Sequence, residues 1–218
     1  LPESRPPSER RRARPPFRFA DLRAALSRPV IGSVLIAGGL TTLAMVCMES
    51  TFALMGQKRF GLDERGMGRI FLLIGAVMAT VQGGIVGPLV RRFGERAMGI
   101  AGAVLLAGVL TSLPFLPSLF LVVASMVLVA TGQGFLVPSL SSLLSRASGV
   151  DEQGSVLGLG QSLSAAARCI GPPCAGLLFD QALWLPYVLS GALLVCVVLV
   201  FSTLPKVAGK IDPSPAPT

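Results

Sequence analysis

The sequence contains no histidine, and only 14% of its 218 residues carry a charge. Histidine is the commonest metal ligand and general base in proteins. Without it, the chain has few side chains that could bind a metal or catalyse proton transfer. Soluble domains usually contain about 25% charged residues. Together with 52% hydrophobic residues and a mean hydropathy of +0.71, the low charge excludes an ordinary water-soluble globular domain.

Cysteine is also scarce, and its placement argues against a disulfide scaffold. The sequence has four cysteines, and each lies inside an apolar stretch: Cys47, Cys169, Cys174 and Cys196. Cys169 and Cys174 are five residues apart and so lie on different faces of one helix. The serines within the apolar stretches have no base beside them that could activate a nucleophile. We therefore expect no enzymatic activity, no metal site and no cofactor.

Charged residues are missing from the whole of residues 97–145, a stretch of 49 residues. A helix that crosses the hydrocarbon core needs about 20 apolar residues, so this stretch is long enough to cross a bilayer twice. Further apolar segments on both sides raise the predicted number of crossings to six. The sequence predicts an all-α membrane protein whose spans cover residues 30–55, 68–90, 97–113, 118–145, 155–179 and 183–204.

The positive charge of the chain is concentrated in residues 1–29, which hold eight arginines and three acidic residues. This segment is rich in arginine and proline, and we predict a cytoplasmic arm or linker that is disordered over residues 1–16. Contact with anionic lipid is a secondary possibility for it. The membrane domain then covers residues 30–204, and residues 205–218 form a loose tail. Because the net charge of +8 comes mostly from the arm, it does not indicate nucleic-acid binding.

The distribution of Lys and Arg predicts the orientation in the membrane. Fourteen of them fall on the side of the amino terminus, four fall on the opposite side, and Arg168 lies within a span. Positively charged loops favour the cytoplasm. We therefore expect both termini to be cytoplasmic, in a plasma membrane or a bacterial inner membrane.

Five polar side chains lie deep in apolar sequence, where each is costly unless it faces protein or a watery cavity. They are the candidate residues for binding a substrate or a coupling ion: Glu49, Gln82, Gln133, Gln161 and Arg168. Structural roles stay open, since the glutamines could join helices, Arg168 could bond backbone carbonyls, and Glu49 could be hydrated near the outer surface. A direct Glu49–Arg168 pair is a further hypothesis. The two residues differ in depth by ~8 Å along their helices, which counts against it.

The loop between the second and third predicted spans has a recognisable pattern of glycine, leucine and arginine. Its residues are Gly87, Leu89, Arg91, Arg92, Gly94 and Arg96. The pattern resembles the loop motif that follows the second helix in each half of major facilitator superfamily transporters. Arg91 stands where the family usually has an acidic residue, and this departure fits a carboxyl-terminal half, in which the motif is commonly degenerate.

The fifth predicted span resembles the helix-kink motif of antiporters in the same superfamily. The matching positions are Gly158, Ala167, Gly171, Pro172, Ala175 and Gly176, with alanine for glycine at 167 and 175. Residues 49–54, 60–61, 82–84 and 158–162 add a resemblance to the tetracycline-resistance-like branch of drug:proton antiporters.

The resemblance implies that the chain corresponds to helices seven to twelve, built as two inverted three-helix repeats. It implies a proton-coupled efflux antiporter of small amphipathic compounds that works by alternating access. The first and fourth spans would line the cavity, the second and fifth would meet the missing half, and the third and sixth would face lipid. The chain would then need an amino-terminal six-helix half or a second copy of itself. A non-transporting membrane scaffold or assembly subunit is the alternative, whereas a channel is disfavoured because no charged rings mark a pore.

Overall fold

The computed structural model describes residues 19–84, 92–149 and 152–203, and all regular structure in these ranges is helical. A short helix is followed by six long ones, and a single turn of 3-10 helix, Leu113–Phe115, extends the fourth helix. The helices are α1 (Phe19–Leu26), α2 (Pro29–Phe60), α3 (Glu64–Gly84), α4 (Glu95–Ser112), α5 (Leu119–Ala147), α6 (Gln153–Gln181) and α7 (Leu185–Thr203).

Local sequence explains several helix ends. Pro29 opens α2, where its missing N–H removes no hydrogen bond because the first turn has no partner for it. Gly61 closes α2 with a φ of 63°, a left-handed conformation that favours glycine, and its N–H bonds the carbonyl of Gln57. The side chain of Ser118 caps α5 by accepting from the amide of Leu121 at 3.3 Å.

Each of the six predicted spans falls on one of the helices α2 to α7. Within the described residues, four helices are long and apolar enough to cross a membrane: Pro29–Phe60, Glu95–Phe115, Leu119–Ala147 and Leu185–Thr203. That α3 and α6 also cross the membrane stays a prediction.

The long helices form one bundle in which α2 and α5 have the most neighbours. Helix α2 packs on α6, α7 and α5, whereas α5 packs on α4, α3 and α2. Helix α4 also packs on α7. The core between them is apolar and includes several side chains without solvent exposure, among them Leu106, Leu110, Leu136, Leu194 and Phe201.

Glycine permits a close backbone contact between α4 and α5. A Cβ atom at position 102 on α4 would lie 2.7 Å from the carbonyl oxygen of Gly132 and 2.9 Å from the amide nitrogen of Leu136, both on α5. Backbone atoms cannot move aside as a flexible side chain can. The absence of a side chain at Gly102 therefore sets the distance between α4 and α5.

Helix α1 lies in the segment that we assigned to the basic arm, and the sequence analysis did not predict it. It packs on the beginning of α2, with Ala25 buried and Leu22 against the apolar core. A Cβ at Gly32 would lie 2.3 Å from the carbonyl oxygen of Leu26, so only glycine permits this contact. The predictions for residues 1–16 and 205–218 lie outside the described residues.

Candidate functional site

The two charged residues predicted deep in the membrane lie on neighbouring helices, Glu49 on α2 and Arg168 on α6. Both are exposed at the surface of the helix bundle, and their side chains interact electrostatically. Within the part of the chain that the structure describes, no hydrogen bond or salt bridge joins them directly. The charge of Arg168 acts on Glu49 despite their difference in depth, and both residues are exposed at the surface of the bundle.

Small and hydroxylated residues bring α2 and α6 close together beside this pair. The hydroxyls of Thr42 and Ser164 are hydrogen-bonded at 3.1 Å across the interface. A Cβ at Gly171 would lie 2.7 Å from Cγ1 of Val46, so the glycine leaves room for a stiff branched side chain. The interface is thus tightly packed, and it fixes the relative position of the helices that carry Glu49 and Arg168.

The residues of the helix-kink motif divide between two faces of α6. Gly171 and Ala175 are buried, and Gly171 faces α2, whereas Gly158 and Pro172 are exposed. Helix α6 continues through Pro172 and the following Pro173. Proline has no N–H, so two carbonyl groups in the preceding turn lose their usual helical partner. The remaining motif residues, Ala167 and Gly176, are partly buried.

The three glutamines lie on three different helices. Gln161 is exposed on α6, seven residues before Arg168, and so shares its side of the helix. Gln133 is partly buried on another helix, α5, between the buried glycines 132 and 134. Gln82 belongs to α3, but its side chain lies outside the described residues.

The described part of the loop motif ties the start of α4 to the end of α7. Gly94 has a φ of 81°, which favours glycine, and Arg92 stacks over the ring of Phe93 at 5.5 Å. Arg96 donates to the carbonyls of Phe201 at 3.1 Å and Ser202 at 2.6 Å. A cation there complements the partial negative charge at the end of α7. Residues 87, 89 and 91 lie outside the described residues.

Two ion pairs at the same end of the bundle were missed by the sequence analysis. Glu95 at the start of α4 pairs with Arg146 near the end of α5 at 3.0 Å and accepts a hydrogen bond from Ser142. Arg28 before α2 pairs with Glu152 before α6 at 2.5 Å. The hydrogen bond and the charge of Glu152 raise the pKa of Arg28 above its ordinary value. In the sequence, these two ion pairs are indicated only by opposite charges at helix ends. That signal does not identify which partners, far apart in the chain, come together.

An apolar cleft of about 220 Å³ lies between α3 and α5. All of its lining side chains are apolar: Leu73, Ile74, Val77, Phe120, Val123, Ala124, Met126 and Val127. Such a cleft can hold an apolar group but offers no hydrogen bond to it. Among the described residues, no three His, Cys, Asp or Glu side chains are grouped so that they could hold a metal ion.

Long apolar helices with a coupled pair of charges in their middle define an α-helical integral membrane protein. The model of the Major Facilitator Superfamily matches residues 1–172 and 83–217. These matches cover nearly the whole sequence, so the chain belongs to the major facilitator superfamily.

Individual relatives support the same assignment. Multidrug resistance protein 2 of Bacillus subtilis is 26% identical over 179 residues, which are 80% of this chain and 43% of that protein. The class B tetracycline resistance protein of Escherichia coli is 24% identical over 156 residues, 70% of this chain and 39% of that protein. The human major facilitator superfamily domain-containing protein 10 is 30% identical over 137 residues, 61% of this chain and 29% of that protein.

A solved structure matches the fold. The crystal structure of the human organic anion transporter MFSD10 (TETRAN) superposes with a TM-score of 0.69 and 24% sequence identity, covering 87% of this chain and 43% of that one. The chain thus spans less than half the length of these relatives. The comparisons confirm the predicted resemblance to major facilitator transporters of the tetracycline-resistance-like branch.

Proposed function

We propose that this chain is the carboxyl-terminal half of a proton-coupled efflux antiporter of small amphipathic compounds. The observation that carries the proposal is the coupled pair Glu49 and Arg168 in the middle of two helices of a transporter fold. At 1.5 Å per residue, Glu49 lies about 30 Å along α2 and Arg168 about 23 Å along α6. Ionisable groups at such depth are costly and usually mark a substrate or ion pathway.

The helix contacts support two three-helix repeats, α2–α4 and α5–α7. If the two repeats are equivalent, α2 corresponds to α5, α3 to α6 and α4 to α7. The α2–α6 contact then corresponds to the α5–α3 contact, and the α2–α7 contact corresponds to the α5–α4 contact. The α2–α5 and α4–α7 contacts map onto themselves. Because each repeat has an odd number of helices, the second would begin on the opposite side of the membrane and be inverted.

In this arrangement α2 and α5 are equivalent helices and would line the cavity. They carry Glu49 and Gln133, which we assign to substrate or coupling-ion contact together with Gln82, Gln161 and Arg168. Helices α3 and α6 would meet the other half, and α4 and α7 would face lipid. The partner is an amino-terminal six-helix half or a second copy, because alternating access needs two halves that move around a shared site.

We place both termini in the cytoplasm. The charge distribution is the basis for this placement, and the side-chain contacts between the described helix ends are compatible with six crossings. Arg28–Glu152 and Glu95–Arg146 would lie at the cytoplasmic end, and Lys58, 4.7 Å from the ring centroid of Phe179, would lie at the other. Residues 1–29 and 205–218 would be the cytoplasmic arm and tail that flank the membrane domain 30–204.

The test uses proteoliposomes that contain the chain completed with an amino-terminal six-helix half. Movement of ethidium is measured with and without an imposed pH gradient. We expect the gradient to drive transport, Glu49→Gln and Arg168→Gln to reduce it, and the control Glu64→Gln at the exposed start of α3 to leave it unchanged. Transport that ignores the gradient contradicts proton coupling. If apolar replacements of Glu49, Gln133 and Arg168 affect only folding, the scaffold alternative is favoured.

A further inference from the structure

Cys47 on α2 lies against the turn of α6 that precedes Cys174. Cys47 lies on α2 and is only 1% exposed, whereas Cys174 is exposed on α6. The Sγ atom of Cys47 lies 4.0 Å from the carbonyl oxygen of Gly171.

Helix geometry places Cys174 at the same contact. A helical carbonyl points toward the amide four residues ahead, so the oxygen of Gly171 points toward residue 175. Residues three apart lie on neighbouring parts of one face, with Cβ atoms about 5–6 Å apart. The Cys47 thiol therefore lies beside the turn that carries Cys174.

The other two cysteines are not part of this arrangement. Cys169 is exposed on α6 but lies about 140° around the helix from Cys174, since five residues rotate by that angle. Cys196 is exposed on α7. They provide two natural control thiols of similar accessibility.

We propose that Cys47 and Cys174 form a dithiol site that binds trivalent arsenicals. The exposed thiol of Cys174 reacts first with phenylarsine oxide and forms one sulfur–arsenic bond. The thiol of Cys47 then displaces the hydroxyl group that this step leaves on arsenic. The two thiol protons and the arsenical oxygen depart as one water molecule, and arsenic keeps its oxidation state of three.

Chelation separates this site from ordinary cysteine modification. Once Cys174 holds arsenic, the second bond forms within one molecule at a high effective concentration. Removal of either thiol should therefore weaken binding roughly 100-fold. A bridged adduct should also resist a monothiol such as 2-mercaptoethanol and be released by the dithiol 2,3-dimercaptopropanol.

The experiment uses the full chain in native membranes or detergent and needs no transport, so its failure is distinguishable from failure of the proposed function. The chain and its variants C47A, C174A, C169A and C196A are treated with phenylarsine oxide, and protected thiols are counted by maleimide labelling and mass spectrometry. In parallel, dibromobimane reports crosslinked thiol pairs by fluorescence. We expect one arsenic per chain and a bimane signal in the parent, C169A and C196A.

In C47A and C174A both signals should fall to background. Because Cys174 is exposed, C174A leaves the packed interface intact and tests the proposal even if C47A fails to fold. Retention of the bridged adduct in C174A overturns the proposal. Loss of the adduct in C169A also overturns it, because the arsenic would then bridge Cys169 and Cys174 within α6.

Discussion

Arg28 and Glu152, 124 residues apart in sequence, join the beginnings of α2 and α6 through two hydrogen bonds of 2.5 and 3.2 Å. The two parallel bonds match the planar guanidinium to the planar carboxylate. The interface that they close at one end carries Glu49 and Arg168 in its middle. About half of each side chain remains exposed, 51% for Arg28 and 47% for Glu152.

Because this pair is exposed, we expect a small and salt-dependent contribution to stability. Arg28→Gln should lower the free energy of unfolding only slightly, because water screens an exposed ion pair. Glu152 raises the pKa of Arg28, so the contribution of the arginine is complete below its ordinary pKa and is lost only as the pH rises through the higher folded value. Thermal unfolding in detergent should therefore show a difference that shrinks with added salt but not between neutral and moderately alkaline pH.

The control for this prediction is a double-mutant cycle with Glu152→Gln. Glu152 has a further interaction, so the effect of its single substitution need not equal that of Arg28. The cycle removes this excess and isolates the coupling between the two side chains. A coupling of zero at low ionic strength would show that the ion pair does not form in solution.

A second prediction concerns the close approach of α4 and α5. Gly102→Ala places a methyl group against backbone atoms of α5 and should destabilise the chain by about 1–3 kcal/mol through overpacking. Gly108→Ala on the same helix meets nothing within 4 Å and should be neutral or stabilise by up to about 1 kcal/mol, because alanine favours helix. Thermal or denaturant unfolding in one detergent compares the two. Equal effects would contradict the contact between α4 and α5.

A third prediction tests the coupling of Glu49 and Arg168 without a transport assay. Arg168→Gln leaves the charge of Glu49 without its neighbour in an apolar bundle and should therefore reduce thermal stability. The loss should be smaller when Glu49 is already replaced by glutamine, and a double-mutant cycle measures this difference as the coupling between the two side chains. Gln161→Leu is the matched control on the same side of α6 and should not couple to Glu49. Strictly additive effects of the two charge substitutions would contradict the electrostatic pairing.

Much of the architecture could be predicted from the sequence because apolar length alone determines where long membrane helices lie. Each predicted span coincides with a helix, and Pro29 and Gly61 mark the ends of α2 as expected for proline and glycine. Helix α1 was missed because it is short, basic and stabilised by packing on α2. Local signals did not contain that contact.

The candidate site could be predicted only as separate residues. Glu49 and Arg168 are conspicuous in apolar sequence, but their proximity depends on which faces of α2 and α6 meet. That choice is made by contacts such as Gly171 against Val46, which need the folded interface to be recognised. Gln133 looked equivalent in sequence, yet it lies on α5 and is partly buried.

The fourth prediction concerns the number of crossings. In a variant without native cysteines, single cysteines replace Phe93, Gly149, Asp63 and Pro117, which are exposed and lie outside the six long helices. Six crossings place Phe93→Cys and Gly149→Cys on the side of both termini, and Asp63→Cys and Pro117→Cys on the other. A membrane-impermeant maleimide applied to right-side-out or inverted vesicles should therefore label two positions from each side.

The contacts between helix ends determine which labelled positions must share one side of the membrane. Arg96 bonds the end of α7 and Glu95 bonds Arg146, so the loops that contain Phe93 and Gly149 must share one membrane face if these contacts exist in the bilayer. Arg59 donates to the carbonyl of Pro114, which likewise puts the loops with Asp63 and Pro117 together. If α3 or α6 did not cross, one position in these pairs would be labelled from the wrong side. Such a result would refute both the six-helix arrangement and the inverted repeats on which the proposed transport cycle depends.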